Sequence, residues 1–348
     1  MEHVFGEKLV FKKEVISANI MDPSGEPVER RIEVRRHPIT LRTTRITLSR
    51  SQEKEAGTES MPAPPPNAFD TSRCPFCAPQ LHHMTPRLNA EVFSAQRLRT
   101  GRSILFPNLY PYGAYSAVSL MDEKHFVEIG GASPMSYRDS FRNAIQYLKE
   151  ISIKDPGAKY MAITQNHLPS AGGSLLHPHL QINADRIPAN HHRFLSKRCN
   201  RYHEERSSLL LSDYLDHERK DASRYIGATG DWEWMAAFAP EGFFEIWGIL
   251  PGIVSLQDLS NAHLTALSRG ILNTQQFYKS LNRNGYNLGM LWVEAPFSRL
   301  ELRVALVVRS NYAPWVRNDH TGFEVMLGDM ATFTAPEITA EQARRYWP

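Results

Sequence analysis

Two histidines and a glutamine alternate in one short stretch, His177-Pro178-His179-Leu180-Gln181. On a β-strand, residues two apart share a face. The three polar side chains would then project together, while Leu180 and Ile182 turn into the core. A glycine-rich turn, Ser170-Ala171-Gly172-Gly173-Ser174, comes just before. Such a turn can present backbone N–H groups to an anion. A neutral imidazole is a good nucleophile toward phosphorus, and the phosphoramidate it forms can pass the group on. The stretch reads as a phosphate-handling site.

A second constellation is Cys74-Pro75-Phe76-Cys77. A C-x-x-C pair serves either zinc or redox chemistry. The redox form opens a helix directly after a strand. Here the pair follows a loop with Pro62, Pro64, Pro65 and Pro66 and runs into Ala78-Pro79, which favours zinc. Zinc needs two further ligands, and there is no second C-x-x-C. His82, His83, His125, His167 and His177 are the candidates, and spacing does not choose among them. The third cysteine, Cys199, reads as an ordinary, partly buried thiol.

These residues need elements to hold them. Ser133-Pro134 is a helix start, a serine cap followed by a first-turn proline. Phe141, Ile145 and Leu148 then fall on one face, which predicts a helix to about Ile153. Strands are predicted at Ser103–Asn108, Tyr115–Leu120, Tyr160–Thr164 and around Leu180–Ile182, with His125 placed at a strand end. A second cycle follows: strands within Met235–Leu250, a helix from about Gln257 to Leu281, and strands at Tyr286–Val293 and Leu300–Val308. The two cycles look like an internal duplication. Leu176–Ile182 then falls on Leu300–Leu306, where the histidines are missing. The resulting division is 1–189 for the chemistry, a charged helical linker or insertion at 190–230 that packs one amphipathic side, and 231–348 as scaffold. Trp232, Trp234 and Trp247 read as core.

Seven arginines between positions 30 and 50 face only Glu33 in sequence, so one or two of them could meet an anionic ligand. Over the whole chain, 40 basic and 37 acidic residues leave a net charge of +3. That provides no field for collecting a nucleic-acid backbone. With 348 residues, 42% hydrophobic and 22% charged, the chain can bury a large core unaided. The longest apolar run, Phe243–Val254, is broken by Glu245, Pro251 and Gly252 and falls short of the ~20 residues of a membrane span. Met1–Val10 has no apolar signal segment. Three cysteines make no disulfide scaffold. The expectation is a cytoplasmic protein with neither membrane nor nucleic-acid partners.

Together the motifs resemble the galactose-1-phosphate uridylyltransferase branch of the histidine triad superfamily. The C-x-x-C comes early, His125 stands midway between it and His177, and His-Pro-His-x-Gln follows. Arg35 to Arg50, with His37-Pro38-Ile39-Thr40 between them, resembles the family's N-terminal arginine segment. Phe106-Pro107-Asn108 resembles its nucleotide-contacting strand, and Gly322-Phe323-Glu324 its C-terminal segment. The resemblance implies an α+β histidine-triad-like fold of two related half-domains, each an antiparallel sheet with a long helix. It implies a structural zinc on Cys74, Cys77, His125 and His177, with His82 or His83 as alternatives to His125. His179 would be the nucleophile that takes a nucleotidyl group, and Gln181 would bond the phosphoryl oxygens. Arg50, Asn108, Asn166, Gly172, Gly173 and Ser174 would contact substrate. The implied partners are a nucleotide sugar or other nucleotide donor and a phosphorylated acceptor; with phosphate as acceptor the enzyme would be a phosphorylase. The resemblance also admits a homodimer. Two departures stand out: Leu180 replaces the usual glycine, and Leu302–Val307 lacks the ligands of a second metal.

Overall fold

The computed structural model describes residues 9–47, 61, 63–64, 66–309 and 320–348. The first half runs through β1 (Lys12–Met21), β2 (Pro27–Arg36), β3 (Thr43–Thr47), the one-turn helix α1 (Leu81–Met84), β4 (Leu98–Thr100), β5 (Ser103–Pro107), β6 (Tyr115–Leu120), α2 (Pro134–Lys154), β7 (Tyr160–His167) and β8 (His179–Asp185). Two helices follow, α3 (Asn190–Arg206) and α4 (Leu210–Asp221). The second half then runs through β9 (Tyr225–Thr229), β10 (Trp232–Ala236), β11 (Ile246–Leu250), α5 (Asn261–Ser280), β12 (Gly285–Val293) and β13 (Leu302–Arg309), and closes with α6 (Gly322–Leu327), β14 (Met330–Thr332) and α7 (Pro336–Ala343).

Ten strands form one sheet in the order β4-β5-β6-β8-β7-β12-β13-β11-β10-β9. From either edge inward the order is first, second, third, fifth, fourth. The expected pair of related halves is thus built into a single sheet that joins at β7 and β12. Each half sends its long helix across the same face. α2 starts at the cap Ser133, whose side chain accepts from the Ser136 N–H, and it buries Tyr137, Phe141, Ala144, Leu148 and Ile151. α5 starts with a reciprocal cap between Ser260 and His263 and buries Leu264, Leu267, Ile271 and Tyr278. The two helices touch each other, so the main core lies between them and the sheet.

The opposite face differs between the halves. Over the second half it is filled by α3 and α4: Leu195, Cys199, Tyr202, Leu211 and Tyr214 pack on Met235, Trp247 and Ile249. The charged segment, expected as a linker or insertion packing one amphipathic side, lays its apolar side on the sheet. Over the first half the same face carries Ile104, Phe106, Val118 and Leu120, with Phe76 of the cysteine loop and Leu81 of α1 packed against them. The tryptophans at 232, 234 and 247 are buried, as read from the sequence.

The second sheet, β1-β2-β3-β14, explains the basic segment. Arg35 is buried, and its guanidinium bonds both carboxylate oxygens of Glu337 in α7, at 3.0 and 2.8 Å. Arg224 donates to the same Glu337 at 3.0 Å. Arg42 pairs with Glu241 at 2.9 Å and Arg45 with Asp329 at 3.4 Å. These arginines find distant carboxylates that sequence proximity did not show. Among the described residues no helix is long and apolar enough to cross a membrane.

Candidate active site and metal centre

β8 owes its position to its alternation. Leu180, Ile182 and Ala184 are buried in the core on the α2 side. His179 and Gln181 take the other face, opposite Leu120 and Val118 of β6. His177 lies just before the strand, which begins at His179. The His179 Nδ1 is 2.8 Å from the His177 carbonyl oxygen. A carbonyl only accepts, so Nδ1 carries the proton and the Nε2 lone pair is left free. Burial lowers the His179 pKa from its ordinary 6.5, which keeps the ring neutral at pH 7. The Phe76 ring packs edge-on against His179 at 5.3 Å and against Phe106 at 5.3 Å. Gln181 is half-buried, and its amide makes no hydrogen bond among the described residues.

Cys74, Cys77, His125 and His177 converge, with their donor atoms all within 4.8 Å of one another. His177 Nδ1 lies 3.4 Å from Cys77 Sγ and 4.0 Å from Cys74 Sγ, and His125 Nδ1 lies 3.3 Å from Cys77 Sγ. Tetrahedral zinc, with bonds of about 2.0–2.3 Å, puts its donors at such separations. The tautomer fits as well. His177 Nε2 is 2.9 Å from the Asp122 carbonyl, so it is the protonated nitrogen and Nδ1 faces the thiols as a lone pair. Burial pushes His177 down to about 4, so the ring is neutral. Burial, with Cys74 beside it, pushes the Cys77 thiol up to about 12 in the absence of a cation. A metal would reverse that balance by binding the thiolates. The donor set fits a tetrahedral cation.

His82 and His83 are exposed on α1 and outside this cluster. His167 is buried and stacks on Tyr286 at 4.9 Å. His125 does not end a strand: β6 stops at Leu120, and His125 reaches the cysteines from the loop that follows.

The glycine-rich turn is tighter than its sequence implies. The Gly172 N–H bonds the Pro169 carbonyl at 2.9 Å and the Gly173 N–H bonds the Leu168 carbonyl at 3.1 Å. Those two amides close the turn instead of pointing at a ligand. Gly172 has φ +82°, and a Cβ on Gly173 would sit 2.9 Å from the Leu168 oxygen, so both positions require glycine. Ser174 is exposed beside them. Asn108 follows β5, and its Oδ1 accepts from the Tyr110 N–H at 3.1 Å. Asn166 lies on β7, two residues past Thr164, which pairs with Gln181. Arg50 falls outside the described residues. Two partners of the site were not read from the sequence. The Asp122 carbonyl has no side-chain signature. Phe76 had one, its place between the two cysteines.

A neutral histidine with a fixed tautomer, on a strand that follows a convergent Cys2His2 cluster, sits in a sheet of paired halves. That combination has the architecture of the uridylyltransferase fold, as comparison with solved structures bears out. An ADP-glucose phosphorylase from Arabidopsis thaliana, solved with bound ADP-glucose, superposes with a TM-score of 0.69 at 19% identity, covering 90% of this chain and 98% of that one. A uridylyltransferase superposes with a TM-score of 0.65 at 16% identity, with the same coverage of 90% and 98%. By sequence, an uncharacterized protein of Archaeoglobus fulgidus is 29% identical over 339 residues, 97% of this chain and 98% of that protein. No protein-family model matches the chain.

Proposed function

We propose that this protein is a nucleotidyltransferase that works through a covalent nucleotidyl-histidine at His179. The observation that carries the reading is the bond between His179 Nδ1 and the His177 carbonyl at 2.8 Å, which leaves Nε2 as a free lone pair on a buried, neutral ring. Nε2 attacks the α-phosphorus of a nucleoside diphosphate sugar or related nucleotide. The Nε2–P bond forms, and the P–O bond to the sugar 1-phosphate or phosphate breaks. The imidazolium that results keeps its Nδ1 proton on the His177 carbonyl. In the second step an oxygen of a phosphorylated acceptor, or of phosphate itself, attacks the same phosphorus and expels neutral His179. The acceptor arrives as an anion and needs no base. Gln181 has no titratable proton to assist water, so it favours transfer over hydrolysis.

Zinc is the cation that Cys74, Cys77, His125 and His177 would hold. A Cys2His2 shell is closed and supplies no catalytic position. It ties the loop of residues 74–77 to the approach of β8. Residues 1–189 thus carry the chemistry and 231–348 support it. The neighbouring folds that handle ADP-glucose or transfer a uridylyl group accord with this class of substrate.

The test is label from an α-phosphorus-labelled nucleotide sugar trapped on the protein without acceptor. It should be base-stable and acid-labile, and a phosphorylated acceptor should discharge it. Replacing Gln181 with His should raise hydrolysis of the donor relative to transfer by about tenfold. Hydrolysis by the native chain at full rate, with no acceptor dependence, would overturn the transferase reading. Elemental analysis should find about one zinc per chain.

A further inference from the structure

Asn166 shares the sheet face of Gln181, because Thr164 pairs with Gln181 and residues two apart alternate together. Directly across the seam from Asn166 is Asn287 of β12, in the second half. The Asn287 amide is fixed from both sides. Arg309 Nη1 donates to its Oδ1 at 2.9 Å, and its Nδ2 donates to the Ala171 carbonyl at 2.9 Å. A guanidinium only donates and a carbonyl only accepts, so this amide has one orientation. The Asn287 Nδ2 also donates to Asn166 at 2.7 Å, and the atom it meets must be Oδ1. The Asn166 Nδ2 is thereby turned away from Asn287, and it makes no hydrogen bond among the described residues.

We propose that Arg309 and Asn287 are positioning residues that lock Asn166 with its N–H groups toward the phosphoryl oxygens of the nucleotide on His179. The inference rests on the reading of His179 as the nucleotidyl carrier and adds to it a role for the second half. The physical argument is one of sign. An amide N–H aimed at a phosphoryl oxygen attracts it; the same amide reversed presents oxygen lone pairs and repels it. An unheld asparagine samples both orientations and must be ordered during the reaction, whereas a held one is preorganised. The relay of three side chains runs in one direction only, from an obligate donor, through Asn287, to Asn166. The turn of residues 168–174 is held by the same amide through Ala171.

The experiment compares two substitutions at one position. Asn287→Ala frees Asn166, and labelling of His179 should slow by about tenfold. Asn287→Asp can only accept, which makes Asn166 donate to it and turn its own oxygen to the nucleotide. Labelling should slow by about a hundredfold; the new carboxylate still pairs with Arg309, but it faces the Ala171 carbonyl, so the melting temperature should fall as it does in Asn287→Ala. In an Asn166→Ala background the two substitutions should become equal, since the group they orient is gone. A merely structural role, acting through the Ala171 turn, would keep the two substitutions apart in the Asn166→Ala background and gives no such convergence. If Asn287→Asp does not fold, Arg309→Met against Arg309→Lys repeats the comparison, with the lysine variant expected to be the faster. The same order should appear in calorimetric affinities for AMP and UMP. Wild-type labelling with Asn287→Asp no slower than Asn287→Ala, or with their difference undiminished in the Asn166→Ala background, would overturn the relay alone. A wild type that neither labels nor binds either nucleotide would overturn the relay and the transferase reading together.

Discussion

The sheet contains two versions of one strand. Placing the buried Leu180, Ile182 and Ala184 of β8 on Val304, Leu306 and Val308 of β13 sets His177 on Glu301, His179 on Arg303 and Gln181 on Ala305. In the first half the residue before the strand faces two thiols. In the second half Glu301 accepts from the Ser212 N–H at 2.9 Å and the Gly252 N–H at 2.8 Å, which anchors the start of α4. Where His179 offers a free lone pair, Arg303 is half-buried, 3.9 Å over the Trp247 ring and near Glu241 and Glu245. The strand with the open face has a Cys2His2 cluster at its rim. The strand whose face is filled by two helices has a carboxylate cap and a half-buried cation. The same backbone therefore presents an open face or a packed one according to three side chains and what covers them.

The largest contrast should be in turnover. His179→Gly should lower transfer by at least about 10³-fold with fold and metal retained, while Arg303→Met should leave the rate within about threefold and cost stability. Initial rates beside urea melts of both variants test this, and comparable rate losses would erase the distinction between the halves. The next contrast is in anchoring. Cys74→Ala should cost at least about 3 kcal/mol together with the metal. Glu301→Ala removes the acceptor of the Ser212 and Gly252 N–H groups and should cost about 1–2 kcal/mol with metal content unchanged. Denaturant midpoints with elemental analysis separate the two. The smallest contrast is in pH. Burial, with Glu241 close by, pushes Glu245 up to about 7. Between the unfolded value of 4.5 and about 7 the folded state keeps a proton that the unfolded chain releases, so this group's contribution to stability falls as pH rises through that window. Glu245→Gln should therefore become more stabilising, relative to wild type, from pH 5 to pH 7 and then level off. A difference that stays constant over that range would show that Glu245 is ionised in the fold.

Much of the site was legible because it is local. The alternation at 177–182, the C-x-x-C and the serine-proline start of α2 each reflect rules that act within a few residues. The duplication was legible because both halves repeat one order of elements. What the sequence hid lies across long gaps. The basic segment announced charge but not Glu337, which meets Arg35 from the far end of the chain. Asn287 and Arg309 follow no pattern, since their meaning comes only from a strand paired across the seam. The glycine turn showed the reverse difficulty: its composition implied anion-binding amides, but two of them close the turn itself.

The central join has a consequence for motion. β7 and β12 pair over eight register positions, from Tyr286 opposite His167 to Val293 opposite Tyr160. Separating the halves would break that ladder along its whole length, so they do not hinge like a clamshell. Under the proposed function, admission of a donor and departure of a product would then fall to the connections around β8, where backbone can move without opening the sheet. In hydrogen exchange the β7 and β12 amides should open only with global unfolding, while the turn of residues 168–174 and the segment of residues 108–114 exchange by local fluctuation. β8, the strand of His179, pairs with β7 directly beside that ladder.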